Sequence, residues 1–202
     1  TFYDGLEDAY DKGRLMGSFA DDCAKEYKFS RETHDQFAIE SSKRSHKASD
    51  EGSFVNEIIP VSVPTKQGEV IVDTDELPDL AKLDKIPQLK PAFHKDGTVT
   101  AANSSSITDG AAALLLMRQS EAQKRGLKPL AIIRGHATHS QEPSWFTTAP
   151  VGAMKNLLNK LNWQVKDVDL FEVNEAFAVV TLVAMQELNI PHEKMNVHGG
   201  AC

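Results

Sequence analysis

Apolar and polar positions alternate differently in the two parts of this 202-residue chain. Up to about residue 107 the apolar residues are sparse and set among polar ones. Phe19, Cys23 and Tyr27 recur at four-residue spacing, which predicts a helix over 18–27 with one packed face. Ser30 is a natural N-cap, Glu32 sits in the first turn, and the pattern predicts a second helix running to about Ala48, stopped by Asp50-Glu51-Gly52. Asn56–Val63 reads as a strand, with Pro60 pointing to an edge or a bulge. Lys66-Gln67-Gly68 turns the chain into Glu69–Asp73, an alternating hairpin partner. Residues 77–95 carry three prolines and no period, which predicts an ordered loop with short helical turns.

From residue 108 the apolar residues gather into runs. Ala111–Met117, Leu130–Gly135 and Val168–Val173 read as buried strands, and Met195–Val197 opens another. Between them the pattern predicts a short helix from Ser120 to Gly126, an amphipathic helix over Val151–Leu161 and a long apolar helix over Glu175–Leu188. Strands alternating with helices in this way imply an α/β layer with strands covered on both faces.

Composition narrows the class without naming a function. Hydrophobic residues at 41% and charged residues at 25% supply enough material for a sizeable core. No run of eighteen or more apolar residues appears, so no membrane span is expected, and no signal peptide is visible. A net charge of -7 argues against non-specific nucleic-acid binding, and it means that any anionic ligand needs a local concentration of cations or backbone N–H groups. Two distant cysteines, Cys23 and Cys202, form no disulfide framework and favour a reducing compartment. The seven histidines and two cysteines show no zinc-like spacing, so no metal is expected.

Four segments carry a specific resemblance. The first is Met16-Gly17 followed by Ser30-Arg31-Glu32, Asp35 and Phe37-Ala38. The second runs from Pro91-Ala92-Phe93 through Gly97-Thr98-Val99-Thr100-Ala101, Asn103 and Ser105 to Asp109-Gly110-Ala111-Ala112. The third is Glu172-Val173-Asn174-Glu175-Ala176-Phe177-Ala178, and the fourth is Asn196-Val197-His198-Gly199-Gly200-Ala201. In this order and spacing the chain resembles the thiolase family over nearly its whole length.

The resemblance implies an α/β thiolase-like fold fragment. Residues 1–107 would form most of an α+β loop domain, and residues 108–202 would begin the C-terminal domain, part of a layered α/β half with a mixed sheet. It implies acyl transfer through a thioester on cysteine: condensation of two acetyl-CoA to acetoacetyl-CoA, or the thiolytic reverse. The nucleophilic cysteine, the activating histidine and the acid/base cysteine of the family are expected outside this sequence. The expected partners are acetyl-CoA, acetoacetyl-CoA and CoA, with the thioester as substrate and no permanently bound cofactor. By family analogy a homodimer or homotetramer is expected, in the cytoplasm or the mitochondrial matrix, within lipid and fatty-acid metabolism.

Residue by residue, the resemblance implies that Asn174 holds the water that donates to the thioester oxygen. A neutral amide suits that role because its carbonyl and NH2 fix the water's orientation. Read from local sequence alone, Asn174 is more simply a helix N-cap. Ser105 matches the serine that hydrogen-bonds the pantetheine arm of CoA, although Asn103-Ser104-Ser105-Ser106 also reads as a plain polar turn. Met16, Phe93, Ala101, Phe146, Ala176 and Phe177 match positions lining the pantetheine and acyl pocket; individually such residues are usually core. The bulk of Trp145-Phe146 points to a short acyl pocket and hence acetoacetyl-CoA, one methylene being worth only about 1–3 kcal/mol there.

The sequence departs from the family pattern in two places: Leu15 stands where several relatives have histidine, and residues 75–90 contain no arginine. Arg14, Lys12 or the loop lysines Lys82, Lys85 and Lys90 could serve the CoA nucleotide in place of that arginine, although each also reads as a solvated surface charge. Cys23 and Cys202 are expected to be packing thiols, and His198 is not expected to be catalytic. Two alternatives stay open: a 3-ketoacyl-CoA thiolase with a longer acyl pocket, and an inactive CoA-binding or interaction unit exposing apolar faces along 111–117 and 176–186.

Overall fold

The computed structural model describes residues 5–80 and 82–202. Helix α1 spans Met16–Glu26 and α2 spans Arg31–Asp50. Ser30 caps α2 as its sequence predicts, its hydroxyl accepting from Thr33 N at 3.1 Å. Strands β1 (Val61–Thr65) and β2 (Gly68–Val72) form an antiparallel hairpin, with Val61 opposite Val72 and Thr65 opposite Gly68. Gly68 adopts φ +120°, a turn conformation closed to residues with a Cβ. The strand therefore starts five residues later than the apolar run suggested. There follow α3 (Leu77–Leu80), α4 (Gln119–Lys124), α5 (Ala149–Leu161) and α6 (Ala178–Leu188), with 3-10 turns at Leu83–Gln88, Pro143–Thr148, Val165–Asp167 and His192–Lys194. No helix among the described residues is long and apolar enough to cross a membrane.

The core is built around α6. The first two turns of α6, Ala178–Ala184, are largely apolar and buried on every side, and only Gln186 and Glu187 near its end are exposed. One flank (Val179, Val180, Val183, Ala184) packs on Ala20, Cys23 and Ala24 of α1 with Val151, Phe171, Val173 and Met195, and the other (Ala178, Leu182) packs on Phe37 of α2. Of the two apolar faces expected to be exposed, the one along 176–186 is thus covered within the chain.

The predicted strands beyond residue 108 depart from expectation. Residues 111–117 and 130–135 join no hydrogen-bonded ladder, and Leu114 is 86% exposed. Their apolar runs encode a strand that needs neighbours on both edges and cover on both faces, and no described segment supplies them. The predicted strands 168–173 and 195–197 meet in a single parallel bridge, Phe171 with Met195. The ladder begins normally, with Phe171 N donating to Lys194 O and Asn196 N donating to Phe171 O. Asn196 then turns to φ +46°, which no strand tolerates, and its side chain takes the next rung: Oδ1 accepts from Val173 N and Nδ2 donates to Val173 O, both at 2.8 Å.

Candidate functional site

The predicted site residues other than Ala101 sit on four segments that the fold draws together: the start of α1, the 93–105 loop, the 143–148 turn and 174–177. Phe177, predicted inside a helix, is extended instead (φ -147°, ψ 153°), and α6 starts only at Ala178. The cause is tertiary. The segment 103–105 lies antiparallel to 176–178: Ser104 bridges Phe177, Ser105 N donates to Ala176 O at 3.1 Å, and Ala178 N donates to Asn103 O at 2.9 Å. These bonds satisfy donors that a helix would otherwise have used, and they place Ser105 beside Ala176. Ser105 itself is exposed.

Asn174 is also exposed, and its side chain takes part in no hydrogen bond among the described residues. It caps no helix, since Phe177 is the residue at the N-cap of α6. The local reading as a plain N-cap is therefore corrected: three residues separate Asn174 from the helix, and its amide is left free on a fixed backbone.

Four aromatic rings run in file beside this segment. Phe93 meets Phe177 edge to face at 6.3 Å, Phe177 meets Phe146 at 6.4 Å, and Phe146 meets Phe19 edge to face at 6.4 Å. Edge-to-face pairs at this distance are favoured by the ring quadrupoles. Phe93, Phe146 and Phe177 are each half-buried, as Met16 is at the start of α1. Gly17 follows Met16 because only a hydrogen fits there: a Cβ would enter the Phe93 ring. Phe93 itself is set by Asp21, whose buried carboxylate accepts from Thr98 N at 2.8 Å, Val99 N at 2.9 Å and His94 N at 3.3 Å. Asn103 completes the loop; its Oδ1 accepts from Thr100 N at 2.8 Å and its Nδ2 donates to Thr98 O at 3.0 Å.

Ala101 lies elsewhere. It lines a cavity of about 400 Å³ with Ser104, Ser106, Lys82, Lys85 and Cys202, and none of the other predicted site residues lines that cavity. Of the cations considered for a nucleotide, Lys82 and Lys85 face this cavity, and Lys85 is 3.5 Å from Asp84. Arg14 is held by Asp22 and Asp11 and stacks over the Phe19 ring at 3.9 Å, and Lys12 pairs with Glu7 at 3.9 Å.

Neither cysteine has the surroundings of a nucleophile. Burial pushes the Cys23 thiol up, and its side chain is fully enclosed in the core. Burial pushes the Cys202 thiol well up too, helped by the Glu175 carboxylate next to it. A reactive thiol needs the opposite, a lowered pKa near a cation or base. His198 packs edge to face on Phe54 at 5.7 Å.

The sequence reading gave no role to Asp21, Glu175 or Asn196, although they hold the site segments in place. Local sequence gives them no distinct signal, since Asp21 adjoins Asp22 and Glu175 adjoins Asn174, and nothing there separates them from solvated positions.

Comparison with known proteins assigns the family and the fold. Residues 1–120 match the family described as "Thiolase, N-terminal domain" and residues 127–202 match "Thiolase, C-terminal domain". The chain belongs to the thiolase family. It is 48% identical over 199 residues to a Dictyostelium discoideum protein described as "Probable acetyl-CoA acetyltransferase", covering 98% of this chain and 48% of that one. It is 43% identical over 201 residues to a Staphylococcus aureus (strain COL) protein described as "Probable acetyl-CoA acyltransferase", covering 98% of this chain and 51% of the relative. The crystal structure of the Bacillus anthracis acetyl-CoA acetyltransferase superposes with a TM-score of 0.94 at 37% identity, over 98% of this chain and 50% of that one. The fold is therefore the α/β thiolase fold, and the chain spans about half the length of the relatives it matches.

Proposed function

We propose that this chain forms the oxyanion and pantetheine side of the active site of an acyl-CoA:acetyl-CoA C-acyltransferase, acting on acetyl-CoA, acetoacetyl-CoA and CoA. The observation that carries the reading is the pairing of segment 103–105 with 176–178. It sets an exposed Ser105 hydroxyl close in the chain fold to a free Asn174 amide, beside the file of Phe93, Phe177 and Phe146. A flexible polar-apolar arm such as pantetheine suits that surface: rings pack the methylenes while a hydroxyl meets an amide. Asn174 would orient a water toward the thioester oxygen, where negative charge develops during acyl transfer.

The reactive thiolate is supplied by residues other than Cys23 and Cys202, both of which are held as neutral thiols. The half-buried Phe146 limits the acyl end to a short chain, which favours acetoacetyl-CoA. The thioester is substrate, and no resident cofactor is called for.

The test is CoA-dependent cleavage of acetoacetyl-CoA by the enzyme that carries this chain, alongside its intact mass, since the chain alone weighs 22.2 kDa. Asn174→Ala is expected to lower kcat on the order of 10²-fold, the usual cost of one oxyanion-hole donor, with KM little changed. Wild-type kcat in that variant, or turnover that is faster on long-chain 3-ketoacyl-CoA, would overturn the reading in its mechanism or its substrate respectively.

A further inference from the structure

Glu175 is 1% exposed. A buried carboxylate is costly unless its lone pairs are met, and no cation pairs with it among the described residues. Three neutral donors from three separate places meet it instead. Ser41 Oγ of α2 donates at 2.7 Å, Asn196 Nδ2 at 2.8 Å and Cys202 N at 3.0 Å. Ser41 is itself used twice, its oxygen accepting from Gly200 N at 2.9 Å. Gly200 must be glycine here because a Cβ would fall on the Glu175 carboxyl group.

The network encloses one residue. Val173, on one side of Asn174, has both its N–H and its C=O held by the Asn196 amide. Glu175, on the other side, is held by its own side chain, and Ala176 O is held by Ser105 N. Asn174 has no anchor of its own. With the backbone fixed on both sides, only its side-chain rotamers remain free, so most of the entropy of aiming the amide is lost on folding rather than during catalysis.

We propose that Glu175 is a positioning residue for Asn174, acting through the Ser41–Glu175–Asn196 network that ties α2 to the backbone presenting the amide. The proposal rests on the catalytic reading of Asn174 above. A network whose only purpose was stability would gain as much from an apolar side chain of the same shape, and it would have no reason to converge on the one exposed amide of the site.

A double-mutant cycle in the enzyme that carries this chain separates the two roles. Ser41→Ala removes one donor and leaves Glu175 and Asn196 in place. It is expected to lower kcat roughly 10-fold while KM for the CoA thioester stays within about 2-fold, because the binding surface of Ser105 and Phe93 is untouched. In an Asn174→Ala background the same substitution is expected to have no further effect on kcat, since there is no amide left to misplace. Glu175→Gln, which turns an NH2 toward a donor, is expected to show the same dependence with a larger loss; if that variant does not fold, the Ser41 cycle decides. A Ser41→Ala effect of equal size with and without Asn174, or no effect on kcat at all, overturns the positioning role and leaves the reading of Asn174 standing. Wild-type kcat in Asn174→Ala overturns both.

Discussion

Replacing Asn103 with alanine strips a fully buried side chain of both of its backbone partners at once. Thr100 N loses the oxygen that accepts from it at 2.8 Å, and Thr98 O loses the amide that donates to it at 3.0 Å. Thr100 is itself fully buried, so water does not readily replace the lost partner. Leaving one such group unsatisfied costs about 1–3 kcal/mol, so two groups together cost roughly 2–6 kcal/mol. The weaker contact to Asp35 Oδ1, at 3.4 Å, adds little. For a chain of this size each kcal/mol moves the melting temperature by about 2–4 °C, so the expected fall is roughly 4–24 °C. Thermal unfolding of the chain followed by far-UV circular dichroism measures it. Ser106→Ala serves as the control: the residue is exposed and its hydroxyl makes no hydrogen bond among the described residues, so a change within about 0.5 kcal/mol is expected. If Asn103→Ala melts within about 2 °C of the parent, the claim that this amide organises the 98–105 loop is wrong.

Three further outcomes follow from particular contacts. Burial holds His34 down at about 4 against its ordinary 6.5, with Asp21 and Asp35 opposing the shift and Arg31 adding to it, and neither ring nitrogen has a hydrogen-bond partner. Between those two pH values the unfolded chain binds the extra proton, so stability is full above about pH 6.5 and falls by roughly 3 kcal/mol toward pH 4; urea midpoints across that window should show His34→Leu losing less than the parent, and parallel slopes would refute the assignment. Gly199→Ala puts a Cβ 2.6 Å from Ser45 N and onto the Ser41 carbonyl, at a residue with φ +78°, where the rigid α2 backbone has no room to yield; the 199–202 segment should leave α2, and Cys202 should be labelled faster by a thiol reagent than in the parent. Phe146→Ala opens a gap in the aromatic file between Phe177 and Phe19, and in the enzyme that carries this chain the preference between acetoacetyl-CoA and a longer 3-ketoacyl-CoA should move toward the longer by about 1–3 kcal/mol per methylene gained, as read from kcat/KM ratios.

Much of this protein was legible without coordinates because the deciding interactions are local. The N-cap at Ser30 and the length of α2 follow from residues within one helical turn of each end. The end of α5 at Asn162, which takes φ 54°, follows the rule that a short polar side chain tolerates the left-handed cap. The four motifs that mark the thiolase family are runs of adjacent residues, so their order alone carried the fold and the family.

What the sequence could not contain was the set of partners each residue would meet. The pattern over 175–188 called for a helix from its first residue, yet the bonds with Asn103 and Ser105, distant in the same chain, hold Phe177 extended and delay the helix to Ala178. The run 195–197 called for a strand, yet the Asn196 side chain replaces the second rung. Leu114–Leu116 are apolar enough for a core strand, yet they lie exposed because no described neighbour covers them. Glu175 reads in sequence as one acidic residue among 29 Asp and Glu, and only folding brings Ser41, Asn196 and Cys202 to it from positions far along the chain. The sequence by itself determined the helices, the hairpin, the family and the residue types of the site, since propensity and motif are properties of neighbours in the chain. Tertiary structure alone decided where those elements begin, which apolar runs are covered and which polar groups are shared, because hydrogen bonds and burial depend on residues that become neighbours only in the folded state.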